Sequence, residues 1–515
     1  MKSGGNAVDA AVAAALTLGV VDGCNAGIGG GCFLLIHTAV GDDFAIDGRE
    51  TAPRAASRDM FVRDGKADPH LSQTGALASG TPGALAAYEL ALRRYGKLPL
   101  KTHLLAAAEI AEHGFRVDAR YAGRLKSTAE DLARFDESRA IFLKPDGQPF
   151  AEGELLKQLD LAASYRQIAE KGSAWFYHGP FAEAAAGWMQ KHGGILTAQD
   201  FAEYHPVIRE PVRSTYRGYD IVSFPPPSSG GVHVLEILNT LESFPLRKFG
   251  PTSVDEIHVV TEAMKLAFVD RAFWLGDPDF VPVPRGLISK EYAKTLAAKI
   301  QMDKAAEVAN HGTPDHAVDD IFLKHTTHLS TADAEGNWVA CTATINTSFG
   351  SKVVVPGTGV LLNNEMDDFS IQPGVPNAFK LIGGEANAVA PGKRPLSSMS
   401  PSIVLKDGQP ILSVGAAGGP TIISQTLLAI INTIDFDMDV EAALTSPRFH
   451  HQWKPEELTI EKSVDPAVRD TLRQRGHALS EVNSLGACQA VARPASQTIF
   501  FGAADPRIPG AAAGW

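Results

Sequence analysis

The sequence has 515 residues, of which 44% are hydrophobic and 21% are charged, the balance of an ordinary globular protein with a large core. Its formal net charge is −12, from 47 Lys and Arg against 59 Asp and Glu, and this acidity disfavours nucleic acid and anionic membranes as partners. No apolar run reaches the roughly 18–20 residues of a membrane span, so we expect no membrane helix.

The first three-fifths of the chain is predicted to be mixed but rich in helix. An Ala-rich buried helix over residues 7–20 is followed by a strand pair over 32–37 and 43–47, with turn chemistry between them. Apolar periodicity predicts further helices over 83–95, 101–113, 119–134, 153–171, 180–192, 231–243, 254–273 and 290–300. The Pro-Pro-Pro-Ser-Ser-Gly-Gly run over 225–231 is predicted to be a rigid loop that enters a helix at Val232.

The character of the sequence changes near residue 302. Residues 305–325 are polar and have no hydrophobic period, so we expect them to be irregular. Strands are predicted after them over 327–333, 338–346, 402–405, 411–415, 458–462 and 498–502, with a helix over 421–434. A polar segment that ends where a sheet-rich part begins is a natural place for proteolytic cleavage.

Polar side chains share one face of the predicted strand 338–346. Residues two apart point to the same side of a strand, so Thr342, Thr344 and Asn346 are expected to lie together. They must be hydrogen-bonded or solvated, and they therefore line a cleft, cap a buried polar network or form a solvated edge. The pattern by itself favours the Thr-rich solvated edge.

Many long motifs, in order along the chain, resemble the γ-glutamyltransferase family. In the sheet-rich part they are Thr326-Thr-His-Leu-Ser330, Asn346-Thr-Ser-Phe-Gly350, Leu361-Leu-Asn-Asn-Glu-Met-Asp-Asp-Phe-Ser370, Lys393-Arg-Pro-Leu-Ser-Ser-Met-Ser-Pro401 and Gly418-Gly419. Earlier in the chain they are Gly4-Gly-Asn-Ala-Val-Asp-Ala-Ala11, Gly29-Gly-Gly31, Asp47-Gly-Arg-Glu-Thr-Ala-Pro53 and the Pro-Pro-Pro-Ser-Ser-Gly-Gly loop. The resemblance runs from Gly4 to Trp515 and is far more specific than one short motif.

The resemblance implies an N-terminal nucleophile hydrolase, an α+β fold built as an αββα four-layer sandwich. It implies a precursor that cuts itself between His325 and Thr326, giving a large subunit of residues 1–325 and a small subunit of residues 326–515 in one compact unit. Family members usually carry a leader, a strand and a helix before the Gly4 motif, and this opening is expected to be missing because Met1 lies just before it. No signal peptide is predicted, and the compartment stays open although relatives are usually periplasmic or secreted.

The cut would create a nucleophile and its base from one residue. A Thr hydroxyl is too weakly acidic to attack an amide unaided and needs a base. An α-amino group has a reference pKa of about 7.7–8.0, so part of it is neutral near physiological pH and can take the proton. The resemblance therefore assigns Thr326 as the catalytic nucleophile.

The remaining roles are implied motif by motif. Thr344 resembles the residue that orients the nucleophile, and Gly418 and Gly419 resemble the oxyanion hole, where backbone N–H groups meet the tetrahedral intermediate. The residues that resemble the substrate site are Arg49 for the α-carboxylate, Glu365 and Asp368 with Asn346 for the α-ammonium, and Ser397 and Ser398 for the rest of the carboxylate pocket. Asp367 is expected to be a capping or supporting residue, and residues 373–395 resemble a lid over the pocket.

The implied activity is transfer of a γ-glutamyl group from glutathione or a related amide to water or an amino acid, with no cofactor or metal. The alternatives are a cephalosporin (glutaryl) acylase of the same fold and an inactive binding homologue. Two residue-level alternatives are a surface ion pair for Arg49 and a plain helix start for Gly418 and Gly419. The cysteines form no CxxC pair, so we predict that they are buried hydrophobic residues, and the His450-His451 pair is predicted to pack rather than bind metal.

Overall fold

The computed structural model describes residues 1–314, 327–495 and 497–514. The predicted cleavage bond between His325 and Thr326 lies outside the described residues. Within them, no helix is both long and apolar enough to cross a membrane. The four cysteines are free and buried, which confirms that prediction.

The strands and helices are numbered in chain order. The strands are β1 (Gly31–His37), β2 (Asp43–Gly48), β3 (Val62–Arg63), β4 (Lys66–Ala67), β5 (Phe115–Arg116), β6 (Leu155–Leu156), β7 (Val207–Arg209), β8 (Val212–Tyr216), β9 (Tyr219–Ser223), β10 (Thr327–Ala332), β11 (Trp338–Thr344), β12 (Ser402–Lys406), β13 (Gln409–Ala417), β14 (Phe449–His450), β15 (Leu458–Glu461), β16 (Leu479–Val482), β17 (Ala487–Ala492) and β18 (Phe501–Ala504). The α-helices are α1 (Ala7–Val21), α2 (Pro69–Gln73), α3 (Ala84–Tyr95), α4 (Leu100–His113), α5 (Ala119–Leu132), α6 (Asp136–Phe142), α7 (Leu159–Lys171), α8 (Ala174–Tyr177), α9 (Pro180–Lys191), α10 (Ala198–Ala202), α11 (Ser229–Leu241), α12 (Leu246–Phe249), α13 (Val254–Trp274), α14 (Lys290–Ala297), α15 (Thr421–Ile434), α16 (Val440–Thr445) and α17 (Pro466–Gln474). Short 3₁₀ turns lie at Ala76–Ala78, Arg285–Ile288, Glu365–Asp368 and Glu385–Asn387.

Two antiparallel sheets form the centre of the molecule. The first has the order β10-β11-β1-β2-β7, and the second has the order β18-β17-β13-β12-β9-β8. In the first sheet, β1 pairs with β11 through Gly31 opposite Thr344 and with β2 through Cys32 opposite Gly48. Every residue of β1 is buried, which explains its unbroken apolar run: both faces of this strand are covered.

The two sheets pack face to face. Phe33 and Leu35 of β1 share a buried cluster with Val222 of β9 and Ile403 of β12. The ring of Phe33 stacks on that of Phe224, with centroids 4.1 Å apart. The alternate residues of β1 point away from this interface, toward helices.

Helices cover the outer face of each sheet. Val12 of α1 and Leu85 of α3 pack with Leu34 of β1 on the first sheet. On the second sheet, α11, α13 and α15 pack on the outward side chains of β12 and β13, such as Val404 and Val414. The layers are therefore helix, sheet, sheet and helix, which confirms the predicted α+β sandwich.

Most predicted elements are present, with corrections where tertiary contacts decide. The helix expected from Val232 begins at Ser229, because the Ser228 hydroxyl caps it and both following glycines are helical. These glycines are required by close packing, since a Cβ on Gly230 would lie 2.3 Å from the Met399 carbonyl oxygen. The helix expected over 153–171 begins only at Leu159, after the short strand β6. The strand expected over 498–502 lies at Phe501–Ala504, and strands β7, β8, β9 and β17 were not predicted.

Candidate active site

The polar face of β11 is buried, so its interpretation as a solvated edge is wrong. The strand lies between β10 and β1, and all of its residues are buried. Thr342 Oγ1 lies 2.9 Å from Nδ1 of His328, whose Nε2 lies 3.1 Å from Ser330 Oγ. Burial lowers the pKa of His328 to about 3, so its ring is neutral in this network between the sheets.

Thr344 ends β11 and connects it to the loop that follows. The backbone N–H of Asn346 donates to Thr344 Oγ1 at 2.7 Å, so the hydroxyl proton of Thr344 remains available for a second partner. Asn346 was expected on the strand, but it has left the ladder with a φ of 75°. Its Nδ2 donates to the carbonyl oxygen of Asn364 at 3.0 Å, next to Glu365.

Arg49 lies at the same end of the sheet as Thr344. Gly31 of β1 pairs with Thr344 of β11, and the neighbouring Cys32 pairs with Gly48 of β2. Arg49 is the residue directly after Gly48, so it lies at the end of the sheet where Thr344 lies. The backbones approach closely here, because a Cβ on Gly30 would lie 1.9 Å from the Thr344 carbonyl oxygen. With strands about 4.8 Å apart, the Arg49 and Thr344 backbones are separated by roughly two strand spacings.

The Arg49 guanidinium is fully buried among three carboxylates, so the surface ion-pair alternative is wrong. Its Nη1 lies 2.7 Å from Glu365 Oε2, and its Nη2 lies 2.7 Å from Asp368 Oδ2. Glu50 Oε2 lies 3.6 Å from Nη1, and Nε donates to the Pro395 carbonyl oxygen at 3.3 Å. These contacts bring together three of the predicted head-group residues.

This cluster holds more carboxylates than cations. Burial opposes the charge on Arg49, but attraction by Glu365, Glu50 and Asp368 outweighs it and raises the pKa of Arg49. Burial raises the pKa of Glu50 to about 8 and that of Glu365 well above its usual range, even though Arg49 acts in the opposite direction on both. The single guanidinium therefore does not keep all three carboxyls ionised, and binding of an additional cation would favour their ionised form.

Ser397 and Ser398 lie beside this cluster, after the Pro395 carbonyl that Arg49 contacts. Both side chains are fully buried. Ser397 Oγ accepts a hydrogen bond from the Met399 N–H at 3.2 Å. Ser398 Oγ has no hydrogen-bond partner among the described residues, so its proton is available to a bound carboxylate.

Gly418 and Gly419 connect β13 to α15. Their φ angles of 133° and 66° lie in the region that favours glycine, so a side chain would strain the turn. They do form a helix start, as the alternative proposed, and their amides lie at the positive end of the α15 dipole. This position is compatible with anion binding as well.

The start of β10 lies toward the same turn. The His328 ring packs on Gly415, and Ser330 Oγ donates to the Ser413 carbonyl oxygen at 3.1 Å. Earlier residues of β10 therefore lie beside later residues of β13, and the start of β10 lies near the end of β13. Thr327 and Ala417 line one cavity of about 690 Å³, in agreement with this direction.

The segment predicted to be a lid packs over Asp368. Asn387 Nδ2 donates to the Asp368 carbonyl oxygen at 2.8 Å, and the Ala378 N–H donates to Asp367 Oδ2 at 3.1 Å. Asp367 also accepts a hydrogen bond from Ser72 Oγ at 2.6 Å. These contacts agree with the supporting part predicted for Asp367.

Three residues near the site were missed by the sequence reasoning. Glu50 belongs to the Asp47–Pro53 motif, but no role was predicted for it. Asp22 accepts a hydrogen bond from Thr327 Oγ1 at 3.1 Å. Arg271, in the last turn of α13, is buried close enough to Asp368 for the two charges to attract. Its signal in the sequence is a group of ionisable residues inside a long helix that is buried on all sides.

One histidine group has metal-like spacing, but its ligand atoms are already used. His258, Glu262 and His477 bring three candidate ligand atoms within 4.8 Å of one another. Nδ1 of His258 and Nε2 of His477 share a hydrogen bond at 2.8 Å. The Glu262 carboxylate pairs with Lys265 Nζ at 2.7 Å and accepts from the Ala306 N–H at 3.0 Å.

The adjacent pair His450-His451 also uses its ring nitrogens within the chain. His450 Nδ1 lies 3.0 Å from Ser424 Oγ, and its Nε2 lies 3.0 Å from Gln452 Oε1. Nδ1 of His451 accepts from the Trp453 N–H at 3.1 Å. These bonds support the packing interpretation of the pair.

Comparison with known proteins agrees with this geometry. The γ-glutamyltranspeptidase family model matches residues 1–515. A glutathione hydrolase proenzyme of Escherichia coli (strain K12) is 46% identical over 511 residues, covering 98% of this chain and 87% of the relative. One of Pseudomonas sp. (strain A14) is 42% identical, covering 98% and 90%. The crystal structure of a cephalosporin acylase from Bacillus halodurans has a TM-score of 0.89 at 31% identity, covering 100% of this chain and 92% of that one. The chain belongs to the γ-glutamyltranspeptidase family.

Proposed function

We propose that this protein is a γ-glutamyltransferase and glutathione hydrolase. It takes the γ-glutamyl group of glutathione or another γ-glutamyl amide and passes it to water or to an amino acid. The single observation that carries this proposal is the buried cluster of Arg49, Glu365 and Asp368 at the end of the first sheet. Family membership and the two glutathione hydrolase proenzymes support it.

The cluster suits the head group of a free amino acid. An α-carboxylate can replace one of the carboxylates on Arg49 and take a further hydrogen bond from Ser398 Oγ. The α-ammonium then lies against Glu365 and Asp368. It replaces the part of the Arg49 charge that the substrate carboxylate has taken from these two carboxylates. A zwitterionic substrate replaces ion pairs within the protein by ion pairs between protein and substrate, so no buried charge is left unpaired.

The reaction follows from Thr326, Thr344 and the glycine turn. The Thr326 hydroxyl oxygen attacks the γ-carbonyl carbon while its own α-amino group takes the proton, and Gly418 and Gly419 donate N–H groups to the oxyanion. The amide C–N bond breaks, the leaving amine takes that proton, and a γ-glutamyl ester remains on Thr326. Water or an amino-acid amine then attacks the ester and restores the hydroxyl. Thr344 Oγ1 accepts a hydrogen bond from the Asn346 N–H, so its own hydroxyl proton can be donated to the nucleophile and orient it.

Self-cleavage between His325 and Thr326 would give subunits of residues 1–325 and 326–515 that stay together. Each sheet contains strands from both sides of this bond: β1, β2 and β7 pair with β10 and β11, and β8 and β9 extend the sheet of β12 and β13. Separating the fragments would expose the cores of both sheets, so we expect a stable heterodimer. The names of the relatives, both proenzymes, support a precursor.

The acylase alternative has a specific structural argument in its favour and another against it. The cephalosporin acylase has the same fold, so the fold cannot separate the two activities. A glutaryl chain carries no ammonium, however, and would leave Glu365 and Asp368 without the cation that favours their ionised form. An inactive homologue would have no reason to retain the complete set of nucleophile, oxyanion and head-group residues.

We therefore expect the protein to hydrolyse γ-glutamyl p-nitroanilide much faster than glutaryl p-nitroanilide. Asp368→Asn keeps the shape of the side chain but removes its charge, and it should lower kcat/KM for the γ-glutamyl substrate by roughly 10- to 100-fold, as for a charged hydrogen bond. The kcat/KM for the glutaryl substrate should change little, so the ratio of kcat/KM between the γ-glutamyl and glutaryl anilides should fall. Release of p-nitroaniline measures both rates with one leaving group and one nucleophile.

Asp367→Asn is the matched control for this experiment. Asp367 is the neighbouring carboxylate, but it accepts from Ser72 and Ala378 instead of pairing with Arg49. Any effect of this substitution should be equal for the two anilides and leave their ratio unchanged. Equal rates for both anilides in the unmodified protein would favour the acylase, and an unchanged ratio in Asp368→Asn would remove Asp368 from the site.

A further inference from the structure

Arg271 is a buried cation next to the proposed head-group site. It lies near the end of α13 and is 1% exposed. Its Nε donates to Ser229 Oγ at 3.1 Å, whereas Nη2 makes no hydrogen bond within the part of the chain that the structure describes. A buried guanidinium with an unused N–H group is costly, and such a group persists where a neighbouring charge offsets the cost.

That neighbouring charge belongs to Asp368. Burial lowers the pKa of Arg271 to about 10, with Asp368 acting in the opposite direction, so Arg271 stays a cation at neutral pH. Arg271 and Asp368 line one small cavity with Ser370 and Leu396, with a volume of about 10 Å³. Ser370 Oγ also lacks a hydrogen-bond partner among the described side chains, so two unused polar groups lie by this cavity.

Arg271 also reaches the serine pair through one intermediate residue. The Ser229 hydroxyl that accepts from Arg271 donates to the Ser397 carbonyl oxygen, and the Ser229 N–H donates to the same oxygen at 3.1 Å. Ser398, whose hydroxyl is unused, follows directly. One guanidinium thus acts on both halves of the site, by charge on Asp368 and by hydrogen bonding on the serines.

We propose that Arg271 is a positioning residue for the amino-acid head group of the substrate. It holds the Asp368 carboxylate where the α-ammonium binds and, through Ser229, fixes the Ser397-Ser398 backbone where the α-carboxylate binds. This inference rests on the proposed function, because it assumes that these residues bind a zwitterion. The described contacts of Arg271 are on the head-group side of the site, so its effect should fall on KM and not on kcat.

Arg271→Met removes the charge and all N–H donors of the guanidinium while keeping a long side chain. It should raise KM for γ-glutamyl p-nitroanilide roughly 10- to 100-fold, as expected for lost charged hydrogen bonds, and leave kcat within about 3-fold. KM for glutaryl p-nitroanilide should rise less, because that substrate shares the carboxylate but has no ammonium to be positioned by Asp368. Arg271→Lys keeps the charge but not the paired N–H donors of the guanidinium, so its KM should lie much closer to that of the unmodified protein than the KM of Arg271→Met does.

Lys265→Met is the matched control, since Lys265 is another buried cation of α13. It pairs with Glu262 and contacts none of the head-group residues, so it should lower the melting temperature without changing KM. If Arg271→Met does not fold, Arg271→Lys and Ser229→Ala provide the test. Arg271→Lys should raise KM more for the γ-glutamyl substrate, whereas Ser229→Ala, which acts only on the carboxylate half of the site, should raise KM for both anilides. An unchanged KM in the folded variants, or an equal rise for both anilides in the Arg271 variants, would overturn the inference. Failure of the proposed function is distinct, because the unmodified protein would then not discriminate between the anilides.

Discussion

Thr326→Ala should remain a single full-length chain and show no measurable transfer of the γ-glutamyl group. One hydroxyl is proposed to make both cuts, first in the precursor bond and then in the substrate amide. Its removal should therefore abolish processing and lower the rate by at least about 10⁴-fold, as when a nucleophile is removed from other hydrolases. Denaturing electrophoresis counts the chains, and N-terminal sequencing of the smaller fragment of the unmodified protein should begin at Thr326.

Two further substitutions make this result specific. Thr326→Ser keeps a hydroxyl and should still cleave, more slowly, at the same bond. Thr327→Ala removes the adjacent hydroxyl, whose described contact is the 3.1 Å hydrogen bond to Asp22, and should cleave at the same position. A smaller fragment with any other first residue, or two chains from Thr326→Ala, would contradict the assignment of the nucleophile.

The long apolar strands of the fold can be predicted from the sequence. Weakly patterned strands were missed both at sheet edges, as with β7 and β8, and inside a sheet, as with β9 and β17. Strand β1 is a continuous apolar run, and β13 and the helix that follows it have long apolar stretches, so their types are evident. Strand β8 lies at the edge of its sheet and exposes Arg213 and Thr215, so its alternation is weak. Strand β18 is largely exposed, which explains why its predicted position was displaced.

The site residues could be identified by motif, but their electrostatics could not. Thr342 and Thr344 look like a solvated edge until the structure shows that β11 is paired along both edges and that all of its residues are buried. The excess of carboxylates around Arg49 depends on contacts between residues more than 300 positions apart. Arg271 was missed because α13 is buried on every side and shows no apolar stripe that would make a charged position stand out.

Arg49→Met should lower kcat/KM for γ-glutamyl p-nitroanilide by roughly 10²- to 10⁴-fold, since removing one partner of a buried ion pair costs about 3–5 kcal/mol. The loss has two sources. The substrate carboxylate loses its guanidinium, and Glu365 and Asp368 lose the cation that holds them within 2.7 Å. Arg49→Lys should lie in between, because an ammonium cannot bridge two carboxylates as the guanidinium fork does. Both variants should still be processed into two chains.

Arg54→Met is the matched control for the loss of a cation. Arg54 lies five residues further along the chain and is exposed, and it pairs with the exposed carboxylate of Glu203. Exposed pairs of this kind contribute at most about 1 kcal/mol, so kinetics and processing should be unchanged. If Arg49→Met had the kinetics of Arg54→Met, Arg49 would have no part in substrate binding.

The Arg49 variants should also differ from the unmodified protein in how stability depends on pH. Burial raises the pKa of Glu50 to about 8 from the 4.5 of an exposed carboxyl, so the folded state holds a proton that the unfolded state releases. The stability from this proton is complete below about pH 4.5 and is lost as the pH rises through about 8. Arg49 lowers the pKa of Glu50 and Glu365, so its removal raises both further, and the loss of stability continues to higher pH. Melting temperatures from pH 5 to pH 9 should therefore fall further in Arg49→Met than in Arg54→Met. Parallel curves would show that Arg49 does not counterbalance these carboxylates in solution.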